Sequence, residues 1–245
     1  MDSYLISIAG NIGAGKSTLT KALESRSGGQ IISFVEQVDY VKQHGYLQKY
    51  YRAITAYDRL KGVKLSGDDP SDFLEIKKEA EYWGYKLQET YFLSRLLDLG
   101  VLEELLREGK SVAQDRSIYE DTIFTKNSNN NEYITDTDYR KYHELFELVM
   151  KNKPQPDLII YLESNVETLK GRILERNRGE EAELASPENS YLSNLNDLYR
   201  PWIMKCGHPY LIVDTEAIDF RTGAGLEQVV EGIITRVPGA RRLFE

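Results

Sequence analysis

Cysteine is nearly absent: Cys206 is the only one in 245 residues, so the chain can form no internal disulfide and no cysteine-based metal cluster. Histidine is also scarce, and His44, His143 and His208 stand at spacings that suggest no zinc site. No apolar run approaches the roughly 20 residues that a bilayer crossing needs, and the first one lacks the basic lead of a signal peptide. The expected setting is therefore a reducing cytoplasm, with no membrane partner. Basic residues are outnumbered, 31 Lys and Arg against 39 Asp and Glu, for a formal charge of -8. Binding to a nucleic acid draws on clustered cations, so a small acceptor fits this chain better. No Pro/Gly/Ser-rich linker interrupts the sequence and no internal repeat is visible. With 41% hydrophobic residues, one core and one domain over 1–245 are expected.

Apolar runs at 4–9, 31–35, 111–114, 157–162 and 209–213 have the length and composition of strands, and longer helical patterns separate most of them. That alternation predicts an α/β fold: about five parallel strands covered by helices on both faces. Segments 61–72, 126–132 and 179–190 are polar and are expected to be loops. In such sheets ligands sit beyond the carboxyl ends of the strands. Polar residues stand there directly: Glu36 after the second run, Asp115 and Arg116 after the third, Asp214 after the fifth.

Residues Gly10-Asn11-Ile12-Gly13-Ala14-Gly15-Lys16-Ser17-Thr18 form a complete G-x-x-x-x-G-K-[ST] loop between an apolar strand and a helical pattern. Its glycines let backbone N–H groups close on phosphate oxygens, Lys16 brings a mobile cation to the β/γ end, and Ser17 offers Mg²⁺ a hydroxyl oxygen. The expected ligand is a nucleoside triphosphate, ATP, with Mg²⁺. The loop alone leaves the reaction open.

Phosphoryl transfer needs screened donor phosphates, an aligned acceptor oxygen and a base for its proton. Glu36 is a candidate base, against the alternative of a solvated loop carboxylate or a helix N-cap partner. Asp115 and Arg116 could set a carboxylate near Mg²⁺ and a guanidinium near the reacting oxygens, or form a structural ion pair. Arg172, Arg176 and Arg178 follow R-x-x-x-R-x-R on a predicted helix; they suit a lid over transferring phosphates, with a charged surface helix as the alternative.

Taken together, Gly10 to Thr18, Glu36-Gln37-Val38, Gln88, Asp115-Arg116-Ser117-Ile118-Tyr119-Glu120-Asp121, and Arg172-x-x-x-Arg176-x-Arg178-x-Glu180-Glu181 resemble the deoxynucleoside kinases, most nearly the bacterial deoxyadenosine/deoxyguanosine kinase branch. The resemblance also takes in 45–51 and Tyr191-Leu192-x-x-Leu195-x-x-x-Tyr199-x-x-Trp202, so it covers nearly the whole chain in the family's order. The last of these motifs is at helical spacing and suggests core packing. The resemblance implies a P-loop kinase fold with a helical, arginine-rich lid over about 172–190, and transfer of the ATP γ-phosphoryl group to a deoxynucleoside 5′-hydroxyl. It implies Glu36 as base with Arg116 beside it, Asp115 and Ser17 at Mg²⁺, and Arg172, Arg176 and Arg178 on the ATP phosphates. It also implies Glu181 at the sugar 3′-hydroxyl, Gln88 at the nucleobase and a homodimer.

Base preference follows from two further positions. Arg95 shares a helix face with Gln88 at about two turns' separation, and Asp121 follows Asp115 within one motif. In similar kinases that accept deoxycytidine or purine deoxynucleosides, Arg and Asp at these positions act as a pair at the base. An amino-bearing base or a purine is thus expected over thymine, with a surface salt bridge as the alternative reading. Three departures touch the acceptor side. Lys77 stands where the family carries a 3′-hydroxyl-binding Tyr, which makes Tyr51 the candidate and Tyr57 the second. Thr125 replaces the usual Phe, with Phe124 one position early, and the lid is longer by about three residues. Two rival functions stay open. A nucleoside monophosphate kinase would need extra arginines where this chain offers carboxylates. A nucleotide switch or motor would need Asn-Lys-x-Asp, Asp-x-x-Gly or a second acidic strand ending in Asp-Glu, and none is found.

Overall fold

A computed structural model describes residues 3–35, 41, 43–62, 70–176, 181–186 and 189–245. Glu36 and Arg178 lie outside the described residues.

Five strands, β1 (Leu5–Gly10), β2 (Ile31–Phe34), β3 (Ser111–Asp115), β4 (Leu158–Glu163) and β5 (Tyr210–Asp214), form one sheet in the order β2-β3-β1-β4-β5, with every pair parallel. All six residues of β1 are buried, as expected for a central strand covered on both faces. The strand pleat divides the core in two. Ile6, Ile8, Ile160, Leu162 and Val213 face α1 (Lys16–Arg26) and α8 (Gly223–Arg236). Ala9, Ile159 and Tyr161 face the other side, packed with Tyr50 of α2 (Tyr46–Gly62), Leu87 of α3 (Pro70–Arg107) and Leu192 of α7 (Tyr191–Lys205). The expected two-sided parallel sheet is therefore present, with strand boundaries displaced by a residue or so.

Local signals account for several helix ends. Thr135 caps α5 (Asp136–Met150), its hydroxyl accepting from the Asp138 N–H at 3.1 Å, with Asp136 and Asp138 favourably placed in the first turn. Thr222 does the same for α8 through the Gly225 N–H at 3.2 Å. Among the described residues, no helix is long and apolar enough to cross a membrane.

Two expected loops are corrected. Segment 126–132 is largely helical, because α4 (Asp121–Asn130) runs through it. Asn and Ser are poor helix formers, but here Asn127 and Ser128 are fully buried and the segment is held from outside: the Gln88 amide donates to Ser128 Oγ at 3.2 Å, and Asn194 donates to Asn131 Oδ1 at 2.9 Å. The 61–72 segment is narrowed, since α2 continues to Gly62 and α3 opens on Pro70, a residue suited to the first helical position.

Candidate active site

The strand order turns at β1, with β2 and β3 on one side and β4 and β5 on the other, and the phosphate loop leaves the carboxyl end of that strand. Gly13 and Gly15 have φ of 89° and 99°, a left-handed backbone that other residues rarely adopt. A Cβ on Gly13 would lie 3.0 Å from the Leu169 carbonyl of α6 (Val166–Arg176). Lys16 curls back over the loop, Nζ donating to the carbonyls of Gly10 at 2.8 Å and Asn11 at 3.0 Å. Asn11 ties the loop to α7, its amide donating to the Leu192 carbonyl at 3.0 Å and to Asn196 at 3.2 Å.

Ser17 donates to Asp115 Oδ2 at the end of β3, and Asp115 Oδ1 is buried with no hydrogen-bond partner among the described residues. A hydroxyl and a carboxylate side by side, one oxygen uncommitted, form a hard-oxygen donor set that suits Mg²⁺ completed by phosphate oxygens. Next to it, Arg116 has a left-handed backbone, φ 64°. Its guanidinium lies 4.5 Å over the Phe124 ring and donates from Nη1 to Glu120 Oε1 at 3.0 Å.

A cavity of about 1160 Å³ runs from Gly13, Lys16 and Ser17 past Asp115 and Arg116 to Gln88 and Arg95. Ile12, Ala14, Gly15 and Thr18 also line it, whereas Gly10 and Asn11 support the loop from behind. At the far end Arg95 and Asp121 form an ion pair in which both side chains are almost wholly buried, 5% and 2% exposed. The surface-bridge alternative is thereby corrected: these two charges are in the interior and meet at the cavity wall. Gln88, also buried, has its amide oxygen 3.5 Å from Thr125 Oγ1. Tyr51 lines the same end; burial raises its phenol pKa well above the usual value, Tyr191, Tyr91 and Glu181 add to the shift, and Arg116 opposes it.

Arg172 and Arg176, one helical turn apart on α6, both line the cavity, so their shared face is turned inward and the helix is not merely a charged surface helix. Arg172 is seated on Thr215, and Arg176 Nη2 donates to Glu181 Oε2 at 2.9 Å.

Sequence reasoning missed three parts of the site. The segment after β5, including Thr215, Asp219, Phe220 and Arg221, lines the cavity beside Arg172; the strand-end rule, applied beyond Asp214, points to it. Tyr199, expected to be core packing, sends its hydroxyl to Glu120 Oε1 and to the Gly10 carbonyl, the latter at 2.9 Å. Glu120 itself stood unremarked inside the Asp115–Asp121 motif.

The family model for deoxynucleoside kinase matches residues 6–238. The chain belongs to the deoxynucleoside kinase family. Among relatives of this deoxynucleoside kinase, the deoxyadenosine/deoxycytidine kinase of Bacillus subtilis (strain 168) is 33% identical over 202 residues, covering 81% of this chain and 76% of that one. The deoxyadenosine kinase of Lactobacillus acidophilus is 28% identical, with 92% of each chain covered. A solved structure of deoxyadenosine kinase from M. mycoides with bound dATP superposes with a TM-score of 0.66 at 25% identity, covering 94% of this chain and 98% of that one. The fold is accordingly that of a P-loop kinase, and the protein is a phosphotransferase acting on nucleosides.

Proposed function

We propose that this enzyme transfers the γ-phosphoryl group of ATP to the 5′-hydroxyl of deoxyadenosine, deoxyguanosine or deoxycytidine in preference to thymidine, for nucleotide salvage in the cytoplasm. One observation carries the reading: the phosphate loop and the buried Arg95–Asp121 pair open on a single cavity, with Asp115 and Arg116 between them. A donor at one end and a nucleoside at the other then meet at the Asp115–Arg116 corner.

The loop N–H groups and Lys16 hold the β and γ phosphates, and Arg172 and Arg176 face them from the lid over about 172–190, to which the sequence motif alone adds Arg178. Ser17 Oγ and Asp115 Oδ1 would hold Mg²⁺, which when bound neutralises charge on the phosphate oxygens. Arg116 faces the reacting oxygens. The 5′-oxygen forms its bond to the γ-phosphorus as the bond to the ADP oxygen breaks, and its proton passes to Glu36, a role that rests on the sequence motif. Glu181 and Tyr51 take the sugar 3′-hydroxyl, which their electrostatic proximity supports. Gln88 presents a donor and an acceptor side by side to the base edge, and the fixed charges of Arg95 and Asp121 favour bases with an exocyclic amino group.

A single domain over 1–245 working as a homodimer completes the reading. Leu93, Leu97 and Val101 are exposed at four-residue spacing on α3, and Leu145 and Leu148 are exposed on neighbouring α5, an apolar strip suited to a second copy. Sedimentation of Leu97→Glu/Leu148→Glu beside the parent chain tests that part, a monomer being expected for the variant.

The deciding experiment is phosphate transfer from ATP to a panel of deoxy- and ribonucleosides and their monophosphates, run beside Glu36→Ala. Fast turnover of deoxynucleosides that the substitution abolishes is expected. Faster turnover of monophosphates, or hydrolysis that no nucleoside stimulates, would overturn it.

A further inference from the structure

Glu120 has no solvent exposure, yet one of its oxygens gathers three donors from three parts of the chain. Oε1 accepts from the Gly10 N–H at 3.1 Å, from Arg116 Nη1 at 3.0 Å, and from the Tyr199 hydroxyl. Tyr199 keeps its proton, because burial first and the Glu120 charge second hold its phenol pKa well above the usual range. The same hydroxyl lies 2.9 Å from the Gly10 carbonyl, which also receives Lys16 Nζ at 2.8 Å. Arg116 Nη1 also donates to the Tyr199 hydroxyl, at 3.4 Å.

A buried carboxylate is unfavourable unless well partnered, and an apolar side chain of similar volume fills such a space at lower cost. What an apolar side chain cannot do is hold a guanidinium in one orientation. Arg116 needs that hold, since its left-handed backbone and a flexible side chain leave its direction to its neighbours. Gly10 gains a fixed position by the same contact. The carboxylate thus joins an arginine at the cavity corner to the first residue of the phosphate loop.

We propose that Glu120 is a positioning residue for phosphoryl transfer. Through Oε1 it locks Arg116 and Gly10 into one frame, and Tyr199 locks Glu120, so that the guanidinium and the donor phosphates keep a constant separation. The inference rests on the proposed reading in which Arg116 serves the reacting oxygens. Misplacement by about 1 Å at a distance from the reacting atoms is enough for a rate loss of roughly 100-fold.

The test compares the full chain with Glu120→Gln, Tyr199→Phe and the double variant, measuring kcat, both KM values and thermal melting with ATP and deoxyadenosine. Glu120→Gln is expected to lower kcat by about 10- to 100-fold while each KM stays within about threefold. Tyr199→Phe, whose ring still stacks on Tyr161 at 5.4 Å, should lower kcat less, and the double variant should be no slower than Glu120→Gln, because both act through one oxygen. A lowered melting temperature with kcat unchanged would assign Glu120 to folding alone and overturn the proposal; so would multiplicative losses in the double variant. If Glu120→Gln does not fold, Tyr199→Phe decides by itself: reduced kcat at unchanged melting supports the frame, and full activity refutes it. Parent chain that transfers phosphate to no nucleoside would instead overturn the underlying reading, whereas an active parent with unaffected variants overturns this inference alone.

Discussion

Arg172 grips Thr215 at two points, Nη1 donating to the side-chain hydroxyl at 3.0 Å and Nη2 to the backbone carbonyl at 3.1 Å. This joins α6 to the segment after β5, both of which line the donor end of the cavity. Lysine has no planar fork with which to reproduce both contacts. Arg172→Lys and Arg172→Ala should each raise the KM for ATP and lower kcat, the alanine by about 10- to 100-fold in kcat. Thr215→Val removes one contact and should change either constant by only about threefold. Kinetics with ATP as the varied substrate checks the order.

The Arg95–Asp121 pair gives a second prediction. Removing one partner takes away the opposite charge that compensates the other in a buried site, so Asp121→Ala alone should lower stability by about 3–5 kcal/mol. Arg95→Met/Asp121→Ala removes both charges and should be more stable than either single variant. The double variant should also raise the rate on thymidine relative to deoxyadenosine. Denaturant melts and a two-substrate competition assay read these effects; an unchanged rate ratio would detach the pair from base choice.

Asp115 and Ser17 yield a third. Asp115→Asn keeps the volume but weakens the cation donor set, and should raise the Mg²⁺ concentration for half-maximal rate by about tenfold or more, with little change in nucleoside KM. Ser17→Ala should shift it the same way and less far. Rates measured across a Mg²⁺ titration at fixed ATP provide the check.

Alkaline stability supplies a fourth. Burial raises the phenol pKa values of Tyr50, Tyr51 and Tyr191, and pushes Tyr119 up to about 12. Because the folded values lie above the unfolded ones, this contribution is fully present below the ordinary tyrosine value near 10 and is lost as pH rises from there through the raised folded values, about 12 for Tyr119, by up to about 1.4 kcal/mol per pH unit for each group that must ionise. Tyrosinate absorbance should therefore appear together with loss of the far-ultraviolet helix signal. Tyr119→Phe should soften the decline. Ionisation of all tyrosines in a still-folded chain would contradict the sign.

The sequence made the phosphate loop and its strand readable because glycine spacing and an unbroken apolar run are local signals. That Arg172 and Arg176 share one face followed from helical spacing in the same way, whereas the inward direction of that face came only with the packing of α6 against the cavity. Pairing of Arg95 with Asp121 was legible through family resemblance, but its burial was not, since nothing local distinguishes an interior ion pair from an exposed one. Helix α4 was hidden because its polar stretch becomes helical only with partners distant in sequence, Gln88 at Ser128 and Asn194 at Asn131 just beyond the helix. Tyr199 occupies an apolar position by periodicity, and periodicity carries no information about where a hydroxyl points.

The two ends of the cavity are drawn from separate stretches of chain: 12–18, 168–176 and 215–221 at the donor end, 47–51, 87–95 and 121–124 at the acceptor end. Such a division lets the choice of nucleoside drift by changes along α2, α3 and α4 while the machinery that handles triphosphate is inherited intact. Divergence among enzymes built on this plan should accordingly be uneven, dense around the nucleobase and sparse around the phosphates.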